Sequence, residues 1–344
     1  MISRDSQTSP TWVAASGKGI WRQAQRVPTV SDGDLPDPGP LDMASTSSGN
    51  WIAGSIKGVW VDGQKVVPDH EIHDAGRLAV DMNSSGTWIA ASSHGVWVDK
   101  KKVLFDTDAD DKGVLAVDIN DQGDWVAGTS NGVWVNGQRV LDDHEVPDLG
   151  PLELKINAKG NWIAATAKGT WVDGKRVLDS IDMTEFGTLA VDINNNGSWL
   201  AATGKGAWLD GKRVMHSNEI SDKGRMAVDL NDAGNWIAAN NYGLWVDGRK
   251  TLHDPDIGDG GPLAIDLAEN GSWAAASSQG VWIDGKKLLY ATDVGATSDV
   301  DVQLGEEGGW IAATSMGAWL NGQRILNDSD IPDQGPVIVS LGPK

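Results

Sequence analysis

An all-β ring of repeated four-stranded units is the fold class predicted for this 344-residue chain, and three observations predict it. The 18 tryptophans fall into nine pairs with a spacing of 9 inside each pair, from Trp12 and Trp21 to Trp310 and Trp319. From Trp51 through Trp88 and Trp125 to Trp310 the pairs recur every 37 residues, and the first interval alone is 39. Between two β-like segments stands Asp-Gly or Asn-Gly in seven copies: Asp62-Gly63, Asn136-Gly137, Asp173-Gly174, Asp210-Gly211, Asp247-Gly248, Asp284-Gly285 and Asn321-Gly322. Self-similarity at a fixed period marks a repeat architecture and overrides the two-domain expectation that length alone suggests.

Each period predicts four strands. In the copy at 78–98, LAVDM alternates, with Leu78, Val80 and Met82 on one side and Ala79 and Asp81 on the other. The turn NSSG follows. WIAA (88–91) is the second strand, GVWV (95–98) the third, and a basic residue followed by valine starts the fourth. The Asp-Gly pair between third and fourth strands predicts a type I′ hairpin, which needs positive φ at both central residues. No helical period is found, and loops of about ten residues link the copies.

Nine equal antiparallel meanders predict a nine-bladed β-propeller, one domain over 1–344, with a water-filled channel. The ends predict its closure. A 37-residue step back from Leu41 reaches Arg4 in RDSQT, which is no strand, whereas a step forward from Val300 reaches Val337 in VIVSL, which is. Residues 336–342 are expected to complete blade one and tie down both termini. The segments NDAGNWIAA (231–239) and GLWVDG (243–248) resemble the generic propeller blade, a likeness that covers nearly the whole chain and implies fold rather than activity. The copies lack the Gly-His start of WD repeats, and their Gly-to-Trp spacing is shorter than in sialidase-type repeats.

The 28 Lys+Arg against 48 Asp+Glu give a charge of -20, which disfavours nucleic acid and anionic membrane surfaces. Without cysteine there is no disulfide, thiolate metal site or thiol nucleophile. The start MISRDSQTSPTW has no leader-like character, and no run approaches the ~18 apolar residues of a membrane helix. The expectation is a cytoplasmic monomer without cofactor or membrane insertion.

If Asp173-Gly174 is a two-residue loop, Val172 pairs with Lys175, Trp171 with Arg176 and Thr170 with Val177. The same arithmetic pairs Trp60 with Lys65, Trp134 with Arg139, Trp208 with Arg213, Trp245 with Lys250, Trp282 with Lys287 and Trp319 with Arg324; Trp97 with Lys102 and Trp21 with Arg26 follow by alignment. A cation over an indole contributes roughly 0.5–1 kcal/mol at an exposed site. In AASSHGVW, Ala90 faces Trp97 and Trp88 lies diagonally on the same face. Two roles fit: the indoles are mortar between blades, or some Trp–cation pairs stay open and stack a sugar ring.

Other constellations carry their own alternatives. Asp81, Asp118, Asp192, Asp229 and Asp266 share one first-strand register, replaced elsewhere by Ala44, Lys155, Gln303 and Ser340. They form either a cation-holding carboxylate ring or buried hydrogen-bond acceptors. Asp106, Asp108 and Asp110 alternate as calcium donors do, without the downstream glutamate of an EF-hand. The six histidines fall in loops, His70 and His73 forming their one close pair, and Asn83, Asn196, Asn270 and Asn327 open glycosylation sequons. The turn between second and third strands varies most, with Lys18, Lys57, His94, Asn131, Lys168, Lys205, Tyr242, Gln279 and Met316 before its glycine. It emerges on the rim that carries the inter-blade loops, and individual loops on a rigid scaffold suit recognition.

No nucleophile–base–orienter set is visible. The leading expectation is a non-enzymatic binding module, lectin-like, in which weak carbohydrate sites at the Trp–cation pairs sum by avidity. The alternatives are a protein-interaction scaffold using the variable rim, a hydrolase or lyase with one site at the channel mouth drawing on Lys155, His94 with Lys100 to Lys102, or Tyr242, and a recently amplified repeat without specific activity.

Overall fold

The computed structural model describes residues 11–35, 41–72, 78–108, 115–146, 151–183, 189–220, 225–258, 263–295, 300–305, 308–331 and 337–341. Every copy of the repeat forms one antiparallel four-stranded sheet, with the strands in chain order in eight of the nine. Blade five, for example, comprises Leu152–Ile156, Trp162–Thr166, Gly169–Val172 and Lys175–Asp179. The predicted hairpin is present, with φ of 48° at Asp173 and 79° at Gly174. Two blades make the same turn without glycine, through Gln23-Ala24 and Asp99-Lys100, both pairs at positive φ. The turn aspartate has a second task that sequence reasoning missed. Asp173 Oδ1 accepts the Trp162 N–H at 2.9 Å, and an Asp or Asn does the same in seven other blades.

The expected register holds for Val172 with Lys175 and Trp171 with Arg176, but Thr170 pairs with Leu178 rather than Val177. Val177 is a bulge residue. The bulge puts Arg176 and Leu178 on opposite faces of the blade, so that the cation covers Trp171 while the leucine enters the next joint. Ala90 does face Trp97.

Successive first strands lie side by side and form the inner ring. Val337–Ser340 pairs with Val13–Ser16 (Val13 with Ser340, Ser16 with Val337), completing blade one and closing the circle. Between blades lie nine equivalent apolar clusters. In one, Leu154, Trp162, Ala164 and Trp171 of blade five pack on Val126, Val133 and Leu141 of blade four. All 18 tryptophans are 2–7% exposed. Burying ~150–250 Å² per indole contributes on the order of 4–6 kcal/mol of gross transfer free energy, several times a cation–indole contact. The joint is therefore dominated by burial.

Among the described residues helix is confined to short turns after the outer strands, including Asp254–Ile257 and Ala291–Val294, which the missing 3.6 period did not announce. Among the described residues no helix is long and apolar enough to cross a membrane.

Deleting residues 336–344 should lower the melting temperature sharply, because it leaves blade one with three strands; an unchanged melt would contradict the closure. Lys100→Gly should stabilise the protein by roughly 0.5–1 kcal/mol in denaturant titration, since a left-handed residue other than glycine is costly.

Candidate functional site

The first-strand aspartates line the inner ring and face the next blade. Asp81 Oδ2 accepts the Ile119 N–H (3.0 Å), Asp118 that of Ile156 (2.6 Å), Asp192 that of Leu230, Asp229 that of Leu267 and Asp266 that of Leu304. Each carboxylate thus clamps the main chain of its neighbour. Blade two, with Ala44 at this register, uses Asp42 two residues earlier to hold the Val80 N–H. Blade five carries Lys155, whose Nζ lies 3.4 Å from Asp118 and whose side chain is half exposed.

This arrangement perturbs the ring electrostatically. Burial, then the neighbouring Asp118 charge, pushes the Asp81 carboxyl up to about 7. Burial likewise raises Asp42 and Asp301 to about 6 and raises Asp192. Lys155 is held charged, above the ordinary lysine value, by Asp118 first and then by Asp81 and Asp192.

At one mouth of the ring a second series runs through blades three to eight. Asn83 Nδ2 donates to the Asn120 carbonyl, and Asn120, Asn157, Asn194 and Asn231 repeat the bond at 2.7–3.0 Å to the next blade. Their Oδ1 atoms cap their own turns. The ladder has no counterpart at Thr46, Ala268 or Gly305. A recess of about 420 Å³ opens over this arc, walled by Asp81, Asp192, Asp229 and Asp266 and rimmed by Asp232 and Glu269. Asn83, the first sequon residue, is 4% exposed and committed to the ladder.

The Trp–cation pairs form as expected in eight blades, with the charged group 4.8–5.6 Å from the indole centroid. Five of the nine cations are arginines that also donate to the carbonyl of the turn between second and third strands, as Arg26 does to Lys18, Arg139 to Asn131, Arg176 to Lys168, Arg213 to Lys205 and Arg324 to Met316. The glycine that opens each third strand makes room for this reach; a Cβ on Gly132, at φ 145°, would sit 2.8 Å from Arg139 Nε. The indoles therefore lie under the cations, between blades.

At the opposite rim the last side chain of every second strand, from Ser16 and Ser55 to Asn240 and Thr314, donates to a carbonyl of the preceding loop. Lys57, His94, Asn131, Lys168, Lys205 and Tyr242 stand beside these bonds, each at least partly exposed. Asp106 pairs with Lys102 at 2.9 Å, which lowers its pKa, and Asp108 accepts the Phe105 N–H; Asp110 and His73 lie outside the described residues. His216 and His253 end outer strands instead of lying in loops. Among the described residues no three His, Cys, Asp or Glu side chains are grouped to hold a metal ion.

No family model matches the chain, and no curated protein matches it in sequence. Among solved structures it is similar to the Dos1 propeller, at 8% identity over 83% of this chain and 90% of that one, with a TM-score of 0.52. It is also similar to the WD40 β-propeller domain of Doa1 (14% identity, 81% and 90%, TM-score 0.44) and to the extracellular domain of the two component system BT4673 from B. thetaiotaomicron (14%, 93% and 51%, TM-score 0.39). The chain spans about half the length of that extracellular domain. At these identities the likeness is one of fold. The fold is a nine-bladed β-propeller.

Raised carboxylate pKa values set a direction with pH. Between about pH 4 and pH 7 the folded ring keeps protons that the unfolded chain has released, so stability falls as pH rises through that window. The melting temperature should climb by several degrees from pH 8 to pH 5. Asp81→Asn, which retains an acceptor for Ile119 as the neutral Gln303 does for Leu341, should raise the melt at pH 8 and flatten the profile. Arg176→Ala should cost about 1–2 kcal/mol, more than an isolated exposed cation–indole contact, because the turn carbonyl also loses its donor.

Proposed function

We propose that this propeller is a non-enzymatic binding scaffold that recognises a protein surface with the rim formed by the turns between second and third strands. One observation carries this reading. The residues that recur from blade to blade are spent on the joints: the indoles are buried, the first-strand aspartates, where they occur, clamp main chain, and the last side chain of each second strand holds a loop. What differs from blade to blade, from Lys57 and His94 to Lys168, Lys205 and Tyr242, stands on the surface of one face. A rigid support with individual tips suits one specific partner.

The carbohydrate reading rests on the nine-fold repetition of the Trp–cation pair, whose cations keep an accessible edge, 42% of the side chain at Arg176 and 30% at Lys250. It requires the cation to swing off the ring before a sugar can stack. Two measurements separate the readings. A photo-crosslinker at position 242 should capture a partner that one at position 175, on the opposite face, does not; equal capture at both defeats the rim proposal. Tryptophan emission should be blue, poorly quenched by iodide and indifferent to a panel of mono- and oligosaccharides, whereas protection of a quenchable subset by one sugar would move the site to the Trp–cation pairs.

A further inference from the structure

The joint between blades nine and one differs from the other eight in a way the repeat does not explain. Elsewhere the first strand of a blade continues through a tight turn into its own second strand. In blade one the first strand, Val337–Ser340, belongs to the far end of the chain, and its hairpin partner Val13–Ser16 meets it by hydrogen bonds alone. Blade nine is also the one blade with an acceptor side chain at both inner registers, Asp301 and Gln303; most other blades have alanine at the earlier one, and blade five pairs Glu153 with the donor Lys155. Both acceptors are used on the closing strand. Asp301 Oδ2 accepts the Val339 N–H and Gln303 Oε1 the Leu341 N–H, each at 2.9 Å.

The other rim of the same joint is reinforced as well. Lys18 Nζ donates to the carbonyls of Ser329 (3.0 Å) and Ile331 (3.3 Å), beside the Ser16 bond to the Asp330 carbonyl. Between the two rims Trp12 and Trp21 pack with Ile311, Leu326, Val337 and Val339.

We infer that Asp301 and Gln303 hold Val337–Ser340 on blade nine as a preformed docking edge for Val13–Ser16, that Lys18 locks the dock, and that this joint is the gate of the ring. A strand without a covalent hairpin partner needs an anchor to stay ordered, and a second acceptor supplies it. The partner that fits the opened gate is a second copy of this chain, because its Val13–Ser16 makes the same four residue pairs on the same edge.

The test is amide hydrogen exchange, iodide quenching and light scattering on the full chain, comparing Asp301→Ala/Gln303→Ala with Asp266→Ala, which removes the single clamp on Leu304 at a covalently continuous joint. In the double variant, exchange should quicken about tenfold or more at both 337–341 and 13–16, Trp12 and Trp21 should become quenchable, and oligomers should grow with concentration. Asp266→Ala should lose protection at Leu304 alone and stay monomeric. Lys18→Met, on the other rim, should reproduce the opening more weakly. Loss confined to Val339 and Leu341 with 13–16 still protected, equal opening in Asp266→Ala, or an opened double variant that remains monomeric at every concentration would each overturn the inference.

Discussion

The blade-to-blade joint is the interaction on which the rest of this structure depends. At each joint an indole-bearing face lies on the aliphatic face of the preceding blade, and polar side chains reach across to main chain one repeat away. The apolar contact supplies most of the free energy but is non-directional. The side chain to main chain bonds supply direction, pinning inner ring and loop rim separately. A blade cannot rotate about one bond without breaking another, so the angle between blades is set, and the nine joints together bring the closing strand onto Val13–Ser16.

Departures from the repeat follow from the same constraint. Where Ala44 removes a clamp, Asp42 provides one from two residues away; where Lys155 replaces the carboxylate, its ammonium pairs back to Asp118. The cost of building clamps from carboxylates is electrostatic, because burial and then a neighbouring like charge raise a carboxyl's pKa, as Asp118 does at Asp81. Gln303 performs the same task without charge, which identifies hydrogen-bond acceptance, not ionisation, as the property the position needs.

This division of labour separates fold from function along the chain. Uniform residues answer a demand that all nine joints make, so their uniformity says nothing about a ligand. Individual residues face no such demand and gather on one rim, while the recess over the amide ladder shows that the inner ring is itself uneven, spanning blades three to eight.

The sequence alone determined the all-β class, the nine four-stranded blades, the Asp-Gly hairpins, the Trp–cation pairs and the closing strand. These are local or periodic properties, and a period of 2 within a strand and 37 between blades is visible without coordinates. It left open whether the aspartates hold cations or main chain, and it missed the bulge at Val177, the capping by turn aspartates and the asparagine ladder. Only the tertiary structure decided these, because the bulge is a shift in backbone pairing and the others are contacts between a side chain and the backbone of another strand or blade. A backbone N–H carries no residue identity, so no pattern of side chains along the chain can announce where it will be.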